Sequence, residues 1–197
     1  MKIVLHICCG VCAAGVVDRL TLEGHEVLGF FYNPNIHPLE EYERRLEVTH
    51  KVAKELNFPL EIGPYIPEDW FKETSSLENE PEGGRRCGVC FRHRLKKTYL
   101  YLEDCGRDAF TTTLTVSPRK SANVVNQVGR EIGGDRFLVR DFKKQEGFKR
   151  AMGLAKKWAL YRQNYCGCIY SLRESQTKVS DQSWCPSDTK RDTRLDT

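Results

Sequence analysis

Residues 3–7 form a strand-length apolar run that ends in Cys8-Cys9-Gly10-Val11-Cys12, so three thiols arrive at one strand-to-helix turn. A helical segment follows over 13–20, and residues 26–32 (EVLGFFY) have the aromatic and branched content of a second, buried strand. Leu39, Tyr42, Leu46, Ala53 and Leu56 then recur at helical spacing, which predicts an amphipathic helix over 39–56. Strand, helix, strand, helix needs crossover connections, and these imply an α/β fold with a Rossmann-like parallel sheet flanked by helices. Open sheets of this kind bind ligands outside the carboxyl ends of their strands, which is where the first turn lies.

The later chain continues the pattern. Residues 59–66 can hold a third short strand and 67–71 a short helix. Residues 72–86 (KETSSLENEPEGGRR) are polar and without period, and read as a mobile loop. Phe91, Leu95, Tyr99 and Leu102 mark a helix face, with Cys87 and Cys90 one turn apart at its start, where the helix dipole favours thiolate. Residues 109–113 read as a fourth strand, 121–132 as a helix, 136–139 as a fifth strand and 147–162 as a helix that runs to Cys166-Gly167-Cys168. From about 174 the chain is polar and aperiodic, which predicts a frayed tail.

A chain of 197 residues can bury a core without disulfides. Its start does not read as a signal peptide, and no apolar stretch is long enough to cross a membrane, so a cytoplasmic protein with reduced thiols is expected. Seven of the 9 cysteines fall into three groups: Cys8, Cys9 and Cys12; Cys87 and Cys90; Cys166 and Cys168. Cys105 and Cys185 stand alone and read as ordinary buried or exposed thiols. The three groups can meet only if the fold brings several element ends together, as the carboxyl edge of a parallel sheet does.

Structural zinc needs only four ligands and leaves three of these thiols without a role. A metal-free redox dithiol suits them less, because Cys8 and Cys9 are adjacent and Cys166 and Cys168 are too close for an unstrained bridge. Seven thiolates suit an iron–sulfur cluster with a second metal, or a cluster with spare ligands. His6 lies inside the first strand and reads as a satisfied core histidine; His50 and His93 read as surface residues. His37, in the 33–38 loop at the end of the second strand, is a candidate polar site residue. Arg85, Arg86, Arg92, Arg94, Lys96 and Lys97, then Arg119 and Lys120, then Lys143 and Lys144 cluster beside the cysteines. Lys96 and Lys97 read as a solvated face, but the rest would make a positive rim suited to a phosphate backbone. Tyr32, Phe142 and Tyr165 stand where an unstacked base could lie, or in the core.

The stretches LHICCGVC, FFYNPNIHPLEEYERR, RRCGVCFRHRL, FTTTLTVSPRK, RDFKKQEGF and LYRQNYCGCIYS together resemble the QueH family of epoxyqueuosine reductases, over residues 2–172. One departure is Val11, where the family usually has Pro. The resemblance implies a fold similar to the adenine-nucleotide α-hydrolase-like (HUP) group of Rossmann proteins. It implies a reductase that converts epoxyqueuosine to queuosine in the tRNA anticodon loop, the final step of queuosine biosynthesis, without cobalamin.

The same resemblance implies a [4Fe-4S] cluster, for which Cys8, Cys9, Cys87 and Cys90 are the candidate ligands, and a second metal ion, iron. All seven grouped cysteines, Cys8, Cys9, Cys12, Cys87, Cys90, Cys166 and Cys168, are the candidate metal ligands. In the HUP group a Gly/Ser-rich loop after the first strand holds ATP pyrophosphate; here the cysteine turn takes its place, which implies no ATP use. Removing the epoxide oxygen as water needs two electrons from an external donor and two protons, for which Asp104, Asp108, Asp141 and His37 are the candidates. Arg85, Arg86, Arg92, Arg119, Lys120, Lys143 and Lys144 are the candidate tRNA contacts. Residues 1–172 are expected as one catalytic metal-binding domain, residues 173–197 as a disordered tail, and the protein as a monomer without membrane contact. The rival readings are a cluster-dependent dithiol or disulfide reductase and a zinc-stapled RNA-binding module.

Overall fold

In the computed structural model, which describes residues 1–182 with side chains through Thr177, alternation within β1 (Lys2–His6) sets the layering. Ile3, Leu5 and, just past the strand, Ile7 join one buried apolar cluster, while Val4 joins another on the opposite face. β1 is paired in parallel on both sides: Leu5 lies opposite Gly29 of β2 (Glu26–Phe31) and opposite Thr111 of β4 (Ala109–Thr112). β3 (Leu60–Ile62) adds parallel to β2, giving the order β3-β2-β1-β4. The chain therefore moves outward from β1 in one direction and then in the other. That reversal opens a crevice between the carboxyl ends of β1 and β4.

Helix α1 (Gly10–Leu22) packs against α2 (Leu39–Glu55) and α6 (Gly147–Lys157), in the layer that contains Ile3 and Leu5. Helices α4 (Arg85–Cys105) and α5 (Ala122–Gly133) pack together in the layer that contains Val4 and Phe110. Helix α3 (Pro67–Thr74) leans on α4, and α7 (Ile169–Gln182) closes the described chain. The expected parallel α/β architecture is present.

Four local expectations need correction. The fifth strand over 136–139 is a single parallel bridge, Phe110 to Phe137, with Leu138 N–H donating to the Phe110 carbonyl at 2.9 Å. A 3-10 turn, Gly134–Arg136, precedes it, so no ladder can extend toward residue 136. The polar stretch 72–86 is not a free loop: α3 reaches Thr74, a 3-10 turn covers Ser75–Leu77 and α4 begins at Arg85. The buried Arg86 guanidinium holds this stretch, donating to the carbonyls of Leu77, Glu78 and Glu80. The helix expected over 147–162 stops at Lys157, and the tail expected from 174 is helical through Gln182. The remainder of that tail, with Cys185, lies outside the described residues. Among the described residues no helix is long and apolar enough to cross a membrane.

Gly10, the first residue of α1, sets how closely the cysteine turn approaches α2. A Cβ there would lie 2.6 Å from the Val48 carbonyl oxygen. Gly10→Ala is therefore expected to destabilise the protein by about 1–3 kcal/mol, read as a lower urea midpoint; an unchanged midpoint would show that α1 and α2 can separate freely.

Candidate metal centre and substrate cavity

Cys8 continues β1 directly into the crevice. Its N–H donates to Thr113 Oγ1 at 3.0 Å, and the same hydroxyl lies 3.2 Å from Cys8 Sγ as a donor, so one threonine at the end of β4 fixes both the backbone and the sulfur. Cys9 caps the N-terminus of α1 with extended backbone, and Cys12 is in its first turn. The three sulfurs lie within 4.8 Å of one another, and Gln163 Nε2 donates to Cys9 Sγ at 3.3 Å. Hydrogen bonds from Cys12 and Cys9, with help from Lys120 and Thr113, hold Cys8 well below the usual thiol range. The same sharing pushes Cys12 well above it. One thiolate is thus shared among three sulfurs.

His6 lies beneath the triad and is the satisfied core residue the sequence suggests. Burial drives its pKa down to about 3, so the ring is neutral. Nε2–H then donates to the Tyr32 carbonyl at 3.2 Å, and Nδ1 accepts from Thr112 Oγ1 at 2.8 Å.

The other four grouped cysteines collect around the start of α4. Cys90 and Cys168 share a buried cluster with Trp70 and Tyr170, and each of Cys87 and Cys90 feels the charge of Cys166 and Cys168. Burial acts against the thiolate that the helix dipole is expected to favour here. Burial pushes the Cys87 thiol up to about 11 and raises Cys90 as well. A cation bound there must displace protons. The fully buried Arg94 guanidinium stands among these sulfurs. Burial alone would weaken its charge, but the fields of Cys90, Cys166 and Cys8 outweigh that and hold it protonated. It donates to the Cys90 carbonyl at 3.3 Å and leaves one nitrogen, Nη2, without a partner among the described residues.

A cavity of about 500 Å³ opens beside the triad. Cys8, Cys12 and Cys166 line it together with Asn33, Asn35 and Arg94. Exposed Arg119, Arg162 and Phe148 also line it, with half-buried Lys120. Asn35 is buried with its Oδ1 unpartnered among the described residues.

The remaining candidates divide. Asp108 lies at the opposite edge of the sheet, where its carboxylate accepts from Lys2 N at 2.7 Å. Asp104 is exposed in the last turn of α4, roughly 25 Å along the helix from Cys87 at 1.5 Å per residue. Neither can reach the crevice. Asp141 is half-buried and bonded to Lys143 at 3.3 Å. The His37 ring is outside the cavity lining, buried against Trp70 and Phe71, and its burial lowers its pKa.

Among the basic residues Arg119 and Lys120 line the cavity, and Arg85 and Lys144 are exposed. Arg86 is buried and cannot contact RNA, Arg92 pairs with Glu131, and Lys143 is committed to the carbonyls of Thr115 and Lys120. His93 is half-buried, bridging the Tyr32 hydroxyl and Glu73 at 2.9 and 3.0 Å, rather than a surface residue. Tyr32 and Phe142 are core residues, and Tyr165 alone of the three aromatic candidates lines the cavity. Asn33, Asn35, Arg45, Arg162 and Gln163 line it without having been singled out by sequence. The Asn-Pro-Asn run after the second strand was the available signal.

A family model described as epoxyqueuosine reductase QueH matches residues 3–174. A protein of Streptococcus pyogenes named epoxyqueuosine reductase QueH is 37% identical over 182 residues, spanning 87% of this chain and 71% of the relative. One from Thermotoga maritima with the same name is 34% identical over 189 residues, 92% and 95% of the two chains. Among solved structures, an NMN synthetase from Francisella tularensis superposes with a TM-score of 0.51 at 14% identity, over 91% of this chain and 73% of that one, a likeness of fold.

The Thr113 hydroxyl is expected to contribute to the reactivity of Cys8, after the larger effects of Cys12, Cys9 and Lys120. Thr113→Val removes a donor to the sulfur, so the pKa for iodoacetamide labelling of Cys8 in metal-depleted protein is expected to rise. A labelling profile that does not move with the substitution would assign the low value to the neighbouring sulfurs and Lys120.

Proposed function

The chain belongs to the epoxyqueuosine reductase QueH family, and on that premise we propose that its cysteine-lined cavity receives the modified base of a tRNA anticodon loop. The protein is an oxidoreductase that converts epoxyqueuosine to queuosine in tRNA. The observation that carries the placement is the cavity lining: of the seven grouped thiols, Cys8, Cys12 and Cys166 line it beside the buried Arg94 guanidinium, which also feels the charge of Cys90 and Cys87.

We propose that these thiols hold a [4Fe-4S] cluster and a second iron. The donor set fits. The close triad of Cys8, Cys9 and Cys12 suits one ion with an open position, and Cys87, Cys90, Cys166 and Cys168 supply the four thiolates of a cluster. This grouping favours that division over one in which Cys8 and Cys9 join Cys87 and Cys90. Arg94, buried and unpartnered at Nη2, offsets the negative charge that such a thiolate set carries. When bound, the iron supplies Lewis acidity toward the epoxide oxygen and the cluster supplies electrons one at a time.

The chain's own residues do the rest. Arg119, Arg162 and Lys120 are placed to meet anticodon phosphates, and Tyr165 and Phe148 offer apolar faces to a base splayed out of its loop. The unpartnered Asn35 Oδ1 accepts a hydrogen bond from the substrate. Of the titratable candidates, Asp141 is tied through Lys143 to the backbone of the cavity-lining Lys120, and we assign it the supply of protons. Two electrons from an external donor and two protons then release the epoxide oxygen as water. We take the enzyme to be cytoplasmic and to act as a monomer.

Anaerobic purification tests this reading. The wild type is expected to be brown, with broad visible absorption and both iron and sulfide. Cys87→Ala and Cys90→Ala are each expected to bleach it and to lower turnover by at least ~10²-fold, as loss of an essential cofactor ligand should. A colourless protein containing zinc alone, or full turnover by both variants, would overturn it.

A further inference from the structure

The turn that carries Cys166 and Cys168 has no regular secondary structure to hold it. It lies between α6 and α7, and its three successive carbonyls are held by other parts of the chain. The Tyr165 carbonyl accepts from Arg45 Nη2 at 3.2 Å, the Cys166 carbonyl accepts from Arg45 Nη1 at 2.9 Å, and the Gly167 carbonyl accepts from the His37 backbone N–H at 2.8 Å. The Tyr165 hydroxyl in turn donates to the His37 carbonyl. With its carbonyls held in this way, the turn presents Cys166 to the cavity and Cys168 to the Cys90–Trp70 cluster.

Arg45 is itself fixed. It is 3% exposed, its Nε lies 2.7 Å from Glu41 Oε1 one turn earlier on α2, and Glu41 Oε2 accepts from the Tyr161 hydroxyl at 2.7 Å. The guanidinium also faces the Tyr165 ring, at 5.4 Å from its centre. All three nitrogens of the fork are thus engaged, two of them on consecutive carbonyls, an arrangement a planar guanidinium can make and an ammonium cannot. Gly167 completes the fit. Its φ is +128°, and a Cβ there would lie 2.9 Å from Arg45 Nη1.

We propose that Arg45 is a positioning residue for the metal centre, holding the Cys166-Gly167-Cys168 turn in the one conformation that offers both thiols as ligands. This rests on the reading above, that these thiols bind metal. The residue is far in sequence from every cysteine and acts entirely through backbone carbonyls. Its charge is already balanced by Glu41, so its role at the turn is geometric.

The test compares wild type, Arg45→Lys and Gly167→Ala, each purified anaerobically. Arg45→Lys keeps the charge beside Glu41 but cannot bridge two carbonyls. Gly167→Ala pushes the fork away from the other side and covers the case in which Arg45→Lys fails to fold. Far-UV circular dichroism reports folding; iron, zinc and sulfide content and the visible spectrum, before and after a chelator challenge, report the site. Both variants are expected to fold and to lose metal to the chelator with ~10-fold weaker retention, with an altered spectrum. Folded variants that keep the wild-type metal content and spectrum would overturn the positioning role and leave the iron–sulfur reading intact. A wild type that holds zinc without sulfide, lost by the variants, would support Arg45 and overturn the iron–sulfur reading; a wild type with no metal would overturn both.

Discussion

β1 is hydrogen-bonded along both of its edges, and Cys8 leaves its end with an N–H that donates to Thr113 at the end of β4. This pairing fixes where the first thiols can go. Because β2 lies on one side of β1 and β4 on the other, the two outgoing connections diverge, and the crevice they leave is floored by the cysteine turn. The remaining grouped thiols are carried on the first turns of α4 and on the turn before α7, and of these Cys166 lines the crevice.

Three arginines buried to within a few per cent, Arg45, Arg86 and Arg94, organise those routes. A buried guanidinium costs several kcal/mol of lost hydration unless its donors are engaged, and each of these engages the chain differently. Arg86 gathers three carbonyls of the connection into α4 and pairs with Glu174. Arg45 holds the Cys166 turn, and Arg94 stands among the sulfurs themselves. Two of the basic residues that cluster beside the cysteines in the sequence, Arg86 and Arg94, are internal scaffolding rather than surface charge. The basic residues that line the cavity are the smaller set Arg119, Lys120 and Arg162.

The parallel sheet, its helices and the grouping of the cysteines were legible because each depends on local period or spacing. Residues 3–7 and 26–32 are apolar enough to be buried strands wherever they sit, and the turn after the first must lie on the ligand edge. The fifth strand was not legible as a bridge, since 136–139 has strand composition and only the 3-10 turn before it limits the pairing. Asp104 and Asp108 were misplaced because their distance from the thiols is set by the length and direction of α4, which composition does not carry. Arg86 and Arg119 are both basic residues beside motif cysteines or loops, yet one is buried and one exposed. Only long-range contacts, such as that of Arg86 with Tyr170 at 4.5 Å, tell them apart.

Removal of the epoxide oxygen from a base in tRNA is the reaction proposed for this crevice. Its most direct test is to incubate the anaerobically reconstituted protein, with a chemical reductant and no cobalamin, with tRNA bearing epoxyqueuosine, and then to digest the tRNA and weigh its nucleosides. A nucleoside lighter by one oxygen atom, queuosine, is expected, formed in proportion to time and enzyme. Epoxyqueuosine recovered unchanged from a protein carrying its full complement of iron and sulfide would contradict it.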